Sequence, residues 1–218
     1  MAESARMEFR NVVRARRMVR AYQPGRDVPD AVLDQLLRNA TRAPSAGFSQ
    51  GWDFVVCRRP ADVARFWAAS TDPEQEADAW LQGLRTAPVL VVCLSDRERY
   101  LARYAEPDKG WDEPDLQARL AHWPVPYWDV DTGMAAMLML LTAVDAGLGA
   151  CFFGVPPERH PGLLKALGAP ADRRVVGVVS LGHAAPDRRS PSLRRGRRPV
   201  DEVGHDGRFG TPWRLRGH

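Results

Sequence analysis

The sequence has little of what marks a secreted or membrane-bound protein. Three cysteines occur in 218 residues, and Cys57, Cys93 and Cys151 are widely spaced in apolar, strand-like settings. An odd, scattered set fits neither a disulfide framework nor a zinc knuckle, so all three are expected as small buried hydrophobes. The longest apolar run, from Met134 to Leu141, is far shorter than the ~20 residues needed to cross a bilayer. The start carries Glu3, Arg6, Glu8 and Arg10 with no apolar stretch behind them, so no secretory signal is expected and the expected location is the cytoplasm. A phosphate P-loop, a nucleophile elbow and a zinc-protease helix are also missing. His122, His160, His183, His205 and His218 are isolated, with no pair at metal-ligand spacing, and no repeat of fixed period is visible. Gly147-Leu-Gly149 begins like a dinucleotide fingerprint but lacks the third glycine, follows a helix and precedes a strand, which excludes a Rossmann site.

What is present reads as an ordinary globular chain. Hydrophobic residues make up 44% and charged residues 27%, which excludes disorder along most of the length. A chain of this size buries about 70% of its unfolded surface. A single domain over residues 1–203 with a C-terminal tail at 204–218 is expected. The net charge is +4, but its distribution says more than its sum. Arg6, Arg10, Arg14, Arg16, Arg17 and Arg20 crowd the start, and Arg188, Arg189, Arg194, Arg195, Arg197 and Arg198 crowd a segment near the end.

Apolar spacing predicts a helix over 8–16, followed by an extended piece that Pro24 and Gly25 stop. Asp27-Val28-Pro29-Asp30 supplies a cap for a second helix with its stripe at Val32, Leu33, Leu36, Leu37 and Ala40. Small residues from Ser45 to Gly51 form a loop into a strand over 52–57. Helices are expected over 61–69 and 74–84, with Thr71-Asp72-Pro73 between them. The unbroken apolar run over 88–94 predicts a strand covered on both faces. Residues 96–128, rich in aromatics, are expected as an irregular lid. Asp129 or Asp131 is expected to cap a helix reaching Ala146, apolar nearly all round and so buried on several sides. A strand over 150–154, a helix over 156–167, a strand over 174–181 and an irregular arginine-rich tail complete the reading. Without a βαβ rhythm, the class is α+β, with helices around a central sheet.

Three segments carry candidate chemistry. Arg16-Arg17-Met18-Val19-Arg20 places guanidinium groups at a helix end, where they suit an anion. Ala43-Pro-Ser-Ala-Gly-Phe-Ser-Gln-Gly-Trp52 lets backbone amides approach a flat ligand. Arg195-Gly-Arg-Arg-Pro-Val-Asp-Glu-Val203 forms a second arginine cluster remote in sequence from the first. In this order the segments, with the strand over 149–154 behind a buried helix, resemble the FMN-dependent nitroreductase family from about residue 8 to 203. That family's usual segments are Arg-Arg-Ser-x-Arg-x-Phe, Ala-Pro-Ser-Ala-Gly-Asn-x-Gln-Pro-Trp and a basic motif near the C-terminus. Met18 stands at the family's serine, Phe48 at its asparagine and Gly51 at its proline.

The resemblance implies a three-layer fold with a central mixed sheet, assembled as an intertwined homodimer. It implies that Arg16, Arg17 and Arg20, with the main chain of Met18, hold the FMN phosphate and ribityl chain, and that Arg195 and Arg197 close on the phosphate. Pro44, Ser45, Ala46, Gly47 and Gln50 would lie near the flavin of the other subunit, and amides around Phe153 and Gly154 would face N5 and O4. NADH or NADPH would donate hydride to FMN, which would reduce planar aromatic acceptors such as nitroarenes or quinones. Trp111, Trp123, Tyr127 and Trp128 would form the lid over them. No side chain is expected as an indispensable acid or base, no metal is implied, and neither nucleic acid nor a membrane is an expected partner. Other flavin chemistry on this fold stays open: dehydrogenation, dehalogenation or flavin fragmentation. Non-catalytic flavin binding also stays open, as does use of the arginine clusters on a nucleic-acid backbone.

Overall fold

A computed structural model describes residues 8–72, 74, 76–186 and 190–214. Glu3, Arg6, Pro73, Arg188, Arg189 and His218 lie outside the described residues. The chain divides into two compact units, Met1–Asp187 and Arg188–His218.

The first unit is built on a four-stranded sheet in the order β1-β2-β4-β3, with β1 Trp52–Cys57, β2 Val89–Ser95, β3 Gly149–Phe153 and β4 Arg174–Gly182. All three pairings are antiparallel, with a register shift between Cys93 and Leu94. Among the described residues the parallel component of the expected mixed sheet is confined to one isolated bridge, Met18 to Ala150. Every residue of β2 is buried, and its alternation sorts them to opposite faces. Val89, Val91 and Cys93 join a core with α2 (Asp30–Ala40) and α7 (Tyr127–Asp145). Leu90, Val92 and Leu94 join another with α3 (Pro60–Ser70) and α8 (His160–Leu167). A helix layer therefore lies on each side of the sheet, and each fully buried Val or Leu contributes about 1.5–3 kcal/mol.

Several expected details differ. The second helix has Pro29 at its N-cap with no side-chain cap bond, so Asp27 and Asp30 do not cap it. The helix expected from residue 74 is the shorter α4, Ala79–Leu84, which starts where Asp78 accepts the Leu81 N–H at 2.8 Å. The expected irregular lid contains α5 (Arg97–Tyr104) and α6 (Leu116–Ala121), capped by Asp96 and Asp115. Its aromatic side chains pack on one another: Trp123 meets Tyr104 at 4.6 Å and Trp128 at 5.8 Å, and Trp111 stacks on His122 at 4.4 Å. Trp128 is buried, and Tyr127 is exposed. Helix α7 begins at Tyr127, ahead of both expected caps, so Asp129 and Asp131 lie within it. The expected helix over 156–167 splits into a 3₁₀ turn, Pro157–Arg159, and α8. All three cysteines are free and buried. Among the described residues no helix is long and apolar enough to cross a membrane.

The second unit holds a 3₁₀ turn at Pro191–Arg195, a short helix α9 at Val200–Val203 and a bridge between His205 and Pro212. Arg198 pairs with Glu202 one helical turn on, at 3.3 Å. Arg195 and Arg197 are exposed.

Candidate functional site

The site begins where α1 (Phe9–Ala15) ends and Arg16 turns the chain into extended backbone. The Val19 N–H donates to the Ala150 carbonyl at 2.9 Å, and the Phe152 N–H donates to Met18 Sδ at 3.4 Å. The arginine segment is thereby stitched along the outer edge of β3. Gly149 permits the approach, since a Cβ there would lie 2.8 Å from the Val19 side chain. Tyr22 anchors the far end: it is buried, and its hydroxyl donates to the Val19 carbonyl at 2.7 Å beside the Ser180 hydroxyl. With the main chain fixed, the guanidinium groups are what remain to act. Nη1 of Arg16 is buried and has no hydrogen-bond partner among the described residues. Arg17 is exposed, and Arg20 is half-buried with Nη1 3.5 Å from the Met18 carbonyl. A buried guanidinium nitrogen without an acceptor is costly, and an oxyanion is the group that satisfies it best.

The second component is the loop from Ser45 to Gln50, which contains a 3₁₀ turn at Ala46–Phe48. Gly47, Phe48 and Gln50 have φ of 60°, 57° and 49°. Left-handed backbone is ordinary for glycine, but for a bulky residue such as Phe48 it stores strain that surrounding contacts must hold. Those contacts are visible. The Ala46 N–H donates to Asp131 Oδ2 at 2.9 Å, the Gln50 N–H donates to Ser45 Oγ at 3.0 Å, and Arg103 Nε donates to the Gly47 carbonyl at 3.0 Å. A Cβ on Gly47 would lie 2.6 Å from the Tyr104 ring. Asp131 is buried on α7 and also accepts the Tyr100 hydroxyl at 2.7 Å. Burial first, and then the bond to Asp131, pushes the Tyr100 hydroxyl pKa well above its ordinary value, so this phenol stays a donor.

The third component is the end of β3. Phe153 turns its side chain into the core, stacked on Trp67 at 5.8 Å, while Gly154 is exposed. A cavity of about 240 Å³ opens beside Gly154.

The structure thus brings Arg16, Arg17, Met18 and Arg20 alongside the strand that ends at Phe153 and Gly154. Pro44, Ser45, Ala46, Gly47 and Gln50 lie on a loop held by α5 and α7, and Arg195 and Arg197 belong to the second unit. Sequence reading missed Asp131, Tyr100 and Arg103 as supports of that loop. One signal was available: an aspartate inside the most apolar helix of the chain needs a partner.

A sequence profile of the nitroreductase family matches residues 13–183. The chain belongs to the nitroreductase family of oxidoreductases. It is 29% identical over 178 residues to an Archaeoglobus fulgidus protein named as an NADH dehydrogenase/NAD(P)H nitroreductase, covering 81% of this chain and 85% of that one. It is 24% identical over 215 residues to human iodotyrosine deiodinase 1, covering 90% and 67%. A protein from Exiguobacterium sibiricum, named as a nitroreductase and solved in complex with FMN, superposes with a TM-score of 0.61 at 20% identity, covering 88% and 98%. The α+β expectation and the family resemblance both hold.

Proposed function

We propose that this protein is an FMN-dependent oxidoreductase that uses NADH or NADPH to reduce planar aromatic acceptors, nitroarenes or quinones. The observation that carries the reading is the buried, unsatisfied Nη1 of Arg16 on a segment bonded to β3: an oxyanion is called for where the family has its cofactor phosphate. The donor set fits FMN. Arg16, Arg17 and Arg20 would hold the phosphate and ribityl chain. Main-chain amides around Phe153 and Gly154 would donate to N5 and O4, where they favour the charge that reduction places on the ring. Bound there, FMN supplies hydride transfer between donor and acceptor.

The chain's own residues bind, orient and exclude water. The rigid loop from Ser45 to Gln50 presents backbone to a flat ligand, and no side chain need act as an acid or base. In the homodimer proposed here, this loop serves the partner's flavin. An exposed apolar stripe on α7 supports that assembly: Tyr127, Val130, Met134 and Met137 recur at helical spacing and are 42%, 41%, 36% and 44% exposed.

A second reading, reductive dehalogenation of a haloaromatic by the same flavin, is favoured by the likeness to iodotyrosine deiodinase over 90% of the chain. The test starts from the absorbance spectrum of the protein as purified, followed by anaerobic addition of each nicotinamide. Bound flavin bleached by NADH or NADPH, with turnover on a quinone and nitroarene panel, supports the first reading. Release of iodide from a haloaromatic with no turnover on that panel supports the second. A colourless protein that does not take up FMN overturns both.

A further inference from the structure

The cavity beside Gly154 differs in chemistry from the rest of the chain. Its wall is aromatic: Trp67 lies parallel to Phe153 at 5.8 Å, and Trp80 stands edge-on to Phe153 at 6.1 Å. Its rim is acidic. Asp72, Glu76, Asp78 and Glu158 line it against one cation, Arg159, which is paired with Asp72 at 3.1 Å. Among the described residues the lining carries four carboxylates and one guanidinium, an excess of three negative charges, on a chain whose net charge is +4. Two lining residues also hold buried polar groups, the Trp67 indole N–H and the Ser70 hydroxyl, that find no partner among the described residues. Trp67 is 8% and Ser70 3% exposed. Buried donors without acceptors cost stability unless something outside the chain completes them.

We propose that this cavity recognises an organic cation: an ammonium group on a small apolar body that carries an oxygen acceptor. Aromatic faces attract cations through the ring quadrupole, most strongly for Trp. Carboxylates around the mouth raise the local concentration of a cation and repel an anion of the same shape. An oxygen on the ligand gives the inner wall the acceptor it lacks. The inference rests on the flavin reading in one respect. Gly154 belongs both to the cavity and to the strand end assigned to the ring, so the ammonium group is the charged part of the molecule that exchanges electrons there.

The probes are choline and its uncharged isostere 3,3-dimethylbutan-1-ol, titrated into the full-length protein as purified, with tryptophan fluorescence and calorimetry as readouts. Choline is expected to bind saturably, and the alcohol at least about tenfold more weakly. Choline affinity is expected to fall in Glu158→Gln, in Trp80→Leu and at high salt. Both side chains are exposed, so the fold survives either change, which circular dichroism checks. Equal affinity for the two probes, no binding of either, or choline binding unchanged in both variants overturns the proposal. Competition between added FMN and choline also overturns it, by giving the cavity to the flavin itself, and leaves the cofactor reading intact. A protein that binds choline but holds no FMN supports the cation site while the cofactor reading fails.

Discussion

The Tyr100 hydroxyl donates to Oδ2 of Asp131 at 2.7 Å, and the same oxygen accepts the Ala46 N–H at 2.9 Å. One buried carboxylate therefore ties α5 and α7 to a loop whose backbone is left-handed at three positions, Gly47, Phe48 and Gln50. Removing the acceptor leaves two buried donors, and each orphan costs about 1–3 kcal/mol. Asp131→Ala is expected to lower the unfolding free energy obtained from urea titration by that order, and Asp131→Asn, which keeps one acceptor oxygen, by less. Tyr100→Phe removes a single bond and is expected to cost about 1 kcal/mol. An alanine variant as stable as the parent would show that the loop is held by other contacts.

Nη1 of Arg16 is buried without an acceptor among the described residues, which calls for an anion. Arg16→Ala deletes the unsatisfied nitrogen together with its charge, so the fold is expected to be unaffected while FMN retention falls. A charge-assisted bond contributes about 1.5–3 kcal/mol, which is about a tenfold to hundredfold loss of affinity. Arg17→Ala, in the same segment, is expected to act in the same direction. Equilibrium dialysis of FMN against each variant measures this, and unchanged affinity in both removes the phosphate assignment.

Why some of this could be read from sequence and some could not follows from what each feature depends on. Strand β2 was legible because an unbroken apolar run admits few readings, and α2 because its stripe repeats at 3.6 residues. The aromatic segment was not, because mutual packing of Tyr104, Trp111 and Trp123 is a tertiary event that leaves no period in the chain. Asp129 and Asp131 look like caps in sequence, yet α7 starts earlier and gives both carboxylates partners inside the fold. Asp129 accepts the Ser95 hydroxyl at 2.7 Å and pairs with Arg174 at 3.1 Å. At the candidate site, the arginines and the small-residue loop were visible as motifs. What holds that loop was not, because its supports come from residues 56 and 85 positions away.

Gly51 stands where the resembling family has proline, and the packing around it gives a physical reason for a small residue. A Cβ there would collide with the Tyr100 ring and lie 2.6 Å from the Asp96 carbonyl oxygen. Neither can yield easily, since Tyr100 is fully buried and Asp96 caps α5. Gly51→Ala is expected to destabilise by about 1–3 kcal/mol through overpacking. Gly25→Ala, where a Cβ would meet nothing, isolates the backbone cost alone because φ there is 71°. If thermal melts of the two variants coincide, steric crowding at Gly51 is not the cause.

Asp62, in the first turn of α3, accepts from Arg59 at 2.6 Å and from Arg65 at 3.0 Å. The hydrogen bond from Arg59 is the largest cause holding its carboxyl below the ordinary range, with Arg65 adding to it. A carboxylate whose pKa is depressed by folding contributes stability that is complete above the unfolded value, about 3.9. That contribution disappears as the pH falls through the lower, folded value. Urea unfolding at pH 6 and at pH 2.5 is expected to show a steeper acid loss for the parent than for Asp62→Asn. Identical pH dependence in the two proteins would separate Asp62 from the acid limb.

The exposed stripe on α7 makes the assembly testable apart from the chemistry. Val130, Met134 and Met137 lie in line along a helix whose other face packs into the core. Water is a poor partner for three such side chains in line, and a second copy of the same helix buries them all at once. A charge at the centre of that contact would be buried without a partner, at a cost of about 3–5 kcal/mol. Met137→Arg is therefore expected to raise the dimer dissociation constant at least about a hundredfold, seen as a shift to monomer in light scattering. Because Met137 faces solvent in the single chain, the monomer should keep its fold by circular dichroism. If the loop from Ser45 to Gln50 serves the partner's flavin, the same substitution lowers FMN retention without touching any arginine. A monomer that keeps full FMN affinity would place the whole cofactor site within one chain, and a dimer that survives Met137→Arg would move the interface off α7.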